Sequence, residues 1–132
     1  MARVQLALNV TDLDAAVDFY SKLFDAKPAK REPGYANFAV AEPPLKLVLF
    51  EGSEGGTLNH LGVEVETTDE VQATDARLRS DGMTTLTEDE VACCYAVQDK
   101  TWVSGPDGER WEVYTVLGDA PTLGCAPESG CC

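Results

Sequence analysis

The residues with chemistry to offer are one histidine, an amide and a carboxylate on otherwise apolar strands, and two pairs of adjacent cysteines. His60 is the single histidine, and imidazole serves equally as a metal ligand and as a satisfied structural group. Its setting says more. Placing His60 on Gln5 aligns Leu61 with Leu6, Gly62 with Ala7, Val63 with Leu8, Glu64 with Asn9 and Val65 with Val10, and the apolar face is kept at every step. Gln5 and His60 therefore hold one position in two copies of a strand, both on its less apolar side. Glu112 is the third candidate, on a strand where Trp111 and Val113 face the other way. A buried carboxylate needs a partner, and a metal ion is one. The alternative is a structural pairing of Glu112 with Arg110 or Lys46, with Gln5 bonding across the sheet.

An imidazole, a carboxylate and a neutral donor on one side of an ion resemble the open facial sites of non-haem iron(II), which leave positions for dioxygen or substrate. The corresponding strand of the first copy, Lys46 to Leu49, supplies no further carboxylate or imidazole. An amide oxygen is a weaker donor than imidazole, so metal retention should be poorer. Iron(II) is favoured, with manganese, nickel or cobalt as substitutes. Cys93 and Cys94 form a soft donor pair suited to trivalent arsenic, cadmium or mercury. On a regular strand they would face opposite ways, so joint use predicts an irregular loop, for which the polar run Thr84 to Glu90 is suitable. Two small apolar residues entering a strand is the competing reading.

The elements follow from periodicity. Arg3 to Val10 alternates as a strand, and Leu13, Ala16, Val17, Tyr20, Leu23 and Phe24 form a helical stripe that ends near Asp25. Tyr35 to Val40 and Leu45 to Phe50 read as strands around the Glu42-Pro43-Pro44 turn. After the linker Glu51 to Gly56, the pattern repeats: a strand at His60, a helix at about Glu70 to Ser80, and strands Tyr95 to Ser104 and Glu109 to Leu117 joined at Gly105-Pro106-Asp107-Gly108. The 132 residues suit one domain, 1–120, with modules at about 2–51 and 57–117. Residues 121–132, with Cys125, Cys131 and Cys132, read as a flexible tail that delivers soft metal, traps it, or does neither. A formal charge of -13 argues against nucleic acid and anionic membranes as partners. No run is apolar enough to span a bilayer, and the amino terminus shows no signal peptide, so a cytoplasmic protein with reduced thiols is expected.

The paired modules, His60 opening the second, and Gly105-Pro106-Asp107-Gly108-Glu109-Arg110-Trp111-Glu112 near the end together resemble the vicinal oxygen chelate superfamily over residues 2–117. More narrowly, Arg3-Val4-Gln5-Leu6-Ala7-Leu8-Asn9-Val10, Pro33-Gly34-Tyr35-Ala36-Asn37-Phe38, Leu58-Asn59-His60-Leu61-Gly62-Val63-Glu64-Val65 and Cys93-Cys94-Tyr95 look like the ArsI-type carbon-arsenic lyases and the similar cadmium-induced proteins. That resemblance implies an α+β fold of two tandem βαβββ modules forming a curved, barrel-like mixed sheet around a metal cleft. It implies that Gln5, His60 and Glu112 ligate Fe(II) and that Cys93 and Cys94 bind a small trivalent organoarsenical. The implied activity is Fe(II)- and dioxygen-dependent cleavage of methyl and aryl groups from arsenic, in a monomer or homodimer. The rivals are a cadmium- or arsenite-binding protein without turnover and a glyoxalase-like isomerase.

Overall fold

The structure, a computed structural model, describes residues 2–122. The expected tail cysteines Cys125, Cys131 and Cys132 lie outside the described residues. In chain order the elements are strand β1 (Arg3–Val10), helix α1 (Leu13–Leu23), strands β2 (Lys30–Glu32), β3 (Tyr35–Val40), β4 (Leu45–Glu51) and β5 (Thr57–Glu64), helix α2 (Thr68–Ser80), and strands β6 (Leu86–Cys93), β7 (Ala96–Ser104) and β8 (Arg110–Asp119). The order is βαβββ twice over, as the module repeat predicts. The described residues divide into two compact units, Arg3–Leu61 and a second made of residues 62–122 with Ala2. The division falls within β5 rather than in the linker 51–56, because the first half of β5 belongs with the first unit.

In that first unit the strand order is β2-β3-β4-β1-β5. β1 runs parallel to β4, with Gln5 beside Lys46, Ala7 beside Val48 and Asn9 beside Phe50. A parallel pair needs a crossover, and α1 with β2 and β3 provides it. Asp12 caps α1 by accepting from the Ala15 amide at 3.1 Å, and the Leu13 amide donates to Glu51 at 2.8 Å. Leu13 and Val17 pack on Phe38, Val40, Leu47 and Leu49, with Leu6 and Leu8 of β1 against the same cluster. Leu6, Leu8 and Val10 are thereby partly buried on one side of β1, while Gln5 and Ala7, both buried, and Asn9 lie on the other. Gly55 is required by a close approach: a Cβ there would lie 2.7 Å from the backbone nitrogen of Thr11. That contact seats the start of β5 beside the end of β1.

In the second unit β8, β7 and β6 are antiparallel neighbours in that order. α2 begins in a capping box, Thr67 accepting from the Glu70 amide while the Glu70 side chain accepts from the Thr67 amide. Val71 and Leu78 are its buried residues. The Gly105–Gly108 turn closes with the Gly105 amide on the Glu109 carbonyl at 2.8 Å, and Gly108 adopts φ +86°, which only glycine takes without strain. Leu86–Cys93 is a strand where the polar run Thr84 to Glu90 predicts a loop. It ends the sheet order, and an edge strand tolerates polar and charged residues. Its ladder shifts register between Glu88 and Val91, with Glu90 at φ +49°. Asp99 holds this bulge by accepting from the Glu90 amide at 2.7 Å and ties α2 to it by accepting from Thr68 Oγ1 at 2.6 Å. No helix among the described residues is long and apolar enough to cross a membrane.

Asp75 of α2 joins that helix to β7 and to the approach to β6. Its Oδ1 accepts from Thr85 at 2.5 Å and Thr101 at 3.0 Å, and its Oδ2 lies 3.0 Å from Arg79 Nε. These bonds, Thr85 first and then Thr101 and Arg79, hold its carboxyl below the usual carboxylate range, against the opposing effect of burial. A depressed pKa in the folded state stabilises the fold above the unfolded value, about 3.9, and that contribution disappears as pH falls through the folded value. Asp75→Asn should therefore cost about 1–2 kcal/mol at pH 7, with the gap to wild type closing below pH 4 or so as the wild-type carboxyl protonates. Urea denaturation across this range checks it; a gap that persists in acid contradicts the assignment.

Candidate metal centre and thiol pair

Gln5 and His60 come together in the first unit. Both are buried, at 4% and 1% exposure, and Gln5 Nε2 lies 3.2 Å from His60 Nε2. The repeat placed them at equivalent positions, and the adjacency of β1 and β5 turns that equivalence into contact. The Phe50 ring stands 6.3 Å from the imidazole centroid and 5.5 Å from Tyr35, giving the imidazole an aromatic neighbourhood.

A chain of hydrogen bonds fixes which ring nitrogen of His60 carries the proton. Thr57 Oγ1 donates to the Glu54 carbonyl at 2.6 Å, so it accepts from Asn9 Nδ2 at 2.9 Å. Asn9 Oδ1 accepts from Asn59 Nδ2 at 3.0 Å. The Asn59 amide oxygen is thereby the atom facing His60 Nδ1, at 2.8 Å. An oxygen there requires Nδ1–H, so Nε2 keeps its lone pair. Gln5 Nε2 donates to that lone pair. Rotation of the Gln5 amide would present its oxygen instead, giving an imidazole nitrogen and an amide oxygen side by side. Asn59 and Asn9 were not singled out from the sequence; the available signal was an amide directly preceding the only histidine.

Glu112 lies in the second unit, on β8, 2% exposed. Its Oε1 is 2.8 Å from Nζ of Lys100, a lysine whose side chain is fully buried. Sequence reading missed Lys100 as the ion-pair partner of Glu112. The signal was a cation in the middle of a strand otherwise fit for a core. Lys100 Nζ also lies 5.3 Å from the Trp102 ring and 5.8 Å from Tyr114. The register sets Lys100 beside Tyr114 and Trp102 beside Glu112, so all four share one face of the sheet. Among the described residues no three His, Cys, Asp or Glu side chains gather around a point; Gln5 with His60 and Glu112 supplies only two of those types. The donor chemistry nonetheless fits a divalent ion, since imidazole nitrogen, amide oxygen and carboxylate are all donors such an ion accepts.

Cys93 and Cys94 do not sit on an irregular loop. Cys93 ends β6 and pairs with Ala96, so Cys94 and Tyr95 form a two-residue hairpin turn. Their φ angles, +54° and +61°, are those of a primed turn. Such turns normally use Asn-Gly, and holding two residues with Cβ atoms there costs of order 1 kcal/mol each. The turn does what the loop was expected to do, bringing the two sulfurs to 3.9 Å. Cys93 is disulfide-bonded here, where reduced thiols were expected; closure on a metalloid needs the reduced form. The pair is not beside Glu112. Ala96 and Trp102, their respective partners on β7, are six residues apart, about 20 Å along a strand.

Two measurements test this geometry. Asn59→Leu, which removes the acceptor at Nδ1, should weaken divalent metal binding by about 10- to 100-fold in chelator competition, with the fold intact by circular dichroism; unchanged affinity would show that the imidazole needs no such orientation. In metal-free protein, Lys100→Met should cost about 3–5 kcal/mol in denaturant unfolding by stranding a buried carboxylate, and adding Glu112→Gln should recover much of it. Equal losses in the single and double variants would contradict the ion pair.

Residues 3–113 match the Glyoxalase/Bleomycin resistance protein/Dioxygenase superfamily. The cadmium-induced protein CadI of Mycobacterium tuberculosis (strain ATCC 25618 / H37Rv) is 64% identical over 128 residues, 96% of this chain and 84% of that protein. A trivalent organoarsenical cleaving enzyme of Thermomonospora curvata is 60% identical over 134 residues, 100% of this chain and 89% of that protein. Among solved structures, the Mn(II)-bound glyoxalase from Novosphingobium aromaticivorans superposes with a TM-score of 0.66 at 20% identity, over 96% of this chain and 44% of that one, a likeness of fold. The chain belongs to the glyoxalase/bleomycin resistance protein/dioxygenase superfamily, the vicinal oxygen chelate fold, with CadI and the organoarsenical cleaving enzymes as close relatives.

Proposed function

We propose that this protein is a carbon-arsenic lyase that removes methyl or aryl groups from trivalent arsenicals and releases arsenite, using Fe(II) and dioxygen. The observation that carries the proposal is the pair of cysteine sulfurs 3.9 Å apart at a turn whose backbone opposes its own residue types. Strain of that kind is retained where a site needs it. The 60% identity to a protein named for cleaving trivalent organoarsenicals supports the same reading.

Gln5, His60 and Glu112 are the residues proposed to hold the metal ion. When bound, Fe(II) would supply Lewis acidity and electron transfer to dioxygen. The rest of the work falls to the chain. Reduced Cys93 and Cys94 condense with the two hydroxyls of methylarsenite; two As–S bonds form, two As–O bonds break and two waters leave. Holding arsenic at two points fixes its carbon substituent, so the cleavage step begins from an oriented complex. Buried Lys100, its Nζ 2.8 Å from Glu112 Oε1, holds the Glu112 side chain in place. A neutral arsenous acid is not repelled by a chain of charge -13.

The decisive assay gives reduced protein Fe(II), methylarsenite and either air or argon, followed by arsenic speciation. Catalytic arsenite release in air alone, lost in Cys93→Ser/Cys94→Ser, is the expected outcome. Stoichiometric binding without release would identify a sequestering protein. Turnover under argon that survives the double change would identify a glyoxalase-like isomerase.

A further inference from the structure

Gln98 of β7 is a polar side chain only 3% exposed. On β6 it pairs with Val91, and Cys93 pairs with Ala96. Because facing alternates along both strands, Gln98 and Cys93 occupy one face of the sheet, the face that also carries Lys100 and Trp102. On its other side the ladder to β8 shifts register between Val97 and Gln98, an irregularity of the kind that re-aims a side chain.

The Gln98 amide reaches the thiol hairpin, where its Nε2 donates to the Cys93 carbonyl at 3.1 Å. A carbonyl accepts only from N–H, so the orientation of the amide is fixed and its oxygen is the atom left over. That Oε1 is buried and meets no hydrogen-bond donor among the described residues. Bonded to the same carbon as Nε2, it too lies beside Cys93. Buried amide oxygens are nearly always satisfied, and one that is not costs stability. An orphaned acceptor next to two sulfurs 3.9 Å apart calls for a donor that arrives with what the sulfurs bind.

The chemistry of the cargo says which donor. Condensation of reduced Cys93 and Cys94 with methylarsenite consumes both of its hydroxyls and leaves arsenic bearing a methyl group, which donates nothing. Inorganic arsenite has a third hydroxyl. Two As–S bonds form, two As–O bonds break, and the thiol protons leave with the departing hydroxyls as two waters. Arsenic stays trivalent and keeps one O–H. We infer that Gln98 Oε1 accepts from this O–H, so that Gln98 gives the thiol pair an added affinity for inorganic arsenite that methylarsenite does not receive. The inference rests on the thiol pair of the lyase reading and is independent of its metal and its turnover.

The test uses the full metal-free chain with Cys125→Ser, Cys131→Ser and Cys132→Ser, which confines arsenic to Cys93 and Cys94. Reduced and held under argon, it is titrated with arsenite and with methylarsenite, with and without Gln98→Met. That change should weaken arsenite about five- to tenfold relative to methylarsenite, the worth of one neutral hydrogen bond. Loosening of the hairpin by loss of the Cys93 contact falls on both ligands and cancels in the ratio. A second reading needs no change at Gln98: its side-chain amide nitrogen resonance should lie at lower field in the arsenite complex than in the methylarsenite complex. An affinity ratio unchanged by Gln98→Met, or one amide position in both complexes, overturns the inference while leaving the thiol pair intact. Binding of neither arsenical, or binding that survives Cys93→Ser/Cys94→Ser, removes the thiol reading and this inference with it.

Discussion

The position of one proton governs the first half of the site. A histidine can offer a metal only the nitrogen that is not protonated, and the chain that runs from the Glu54 carbonyl through Thr57, Asn9 and Asn59 leaves that choice no freedom. Each member has its donor and acceptor roles set by the one before it. The chain ties the beginning of β5 to the end of β1, so the tautomer of His60 is a consequence of the strand pairing itself. Gly55, pressed against the backbone of Thr11, is part of the same constraint.

The second unit solves a different problem, accommodating a carboxylate where water is excluded. β7 does this by using its two faces for two purposes. Asp99 and Thr101 point toward α2, where they bond Thr68 and Asp75 and fasten the helix. Lys100 and Trp102, the alternating residues, face the other way and surround Glu112 with a cation and aromatic rings. A period of two thus separates the residues that hold the sheet to its helix from those that prepare the site. The same alternation places Trp102 and Glu112 on one surface.

Much of this was legible in the residues, and what was not has identifiable causes. Strand-to-strand alignment found Gln5 and His60 because side-chain facing survives in an alternating pattern. Glu112 stood out as a charge between apolar neighbours. Lys100 carries the same signal, but its place beside Glu112, unlike the Arg110 and Lys46 pairings, depends on the register of β7 against β8, which sequence alone does not supply. β6 was misread as a loop because edge strands do not need an apolar face, and β2, three residues long, has no periodicity to detect. The turn at Cys94-Tyr95 was hidden for the opposite reason: it uses a backbone that its residue types disfavour, so propensity pointed away from it. Such local disagreement between residue type and conformation is a reason to look for function at that point.

Gln5, His60 and Glu112 are proposed, on the chemistry of their donors, to serve one divalent ion. Anaerobic equilibrium dialysis of reduced protein against Fe(II) tests it most directly, with wild type compared to Gln5→Ala, His60→Ala and Glu112→Ala. The account predicts one iron per wild-type chain and a large loss of affinity in each variant, with His60→Ala and Glu112→Ala the most severe. Retention of wild-type affinity in either of those two variants would contradict it.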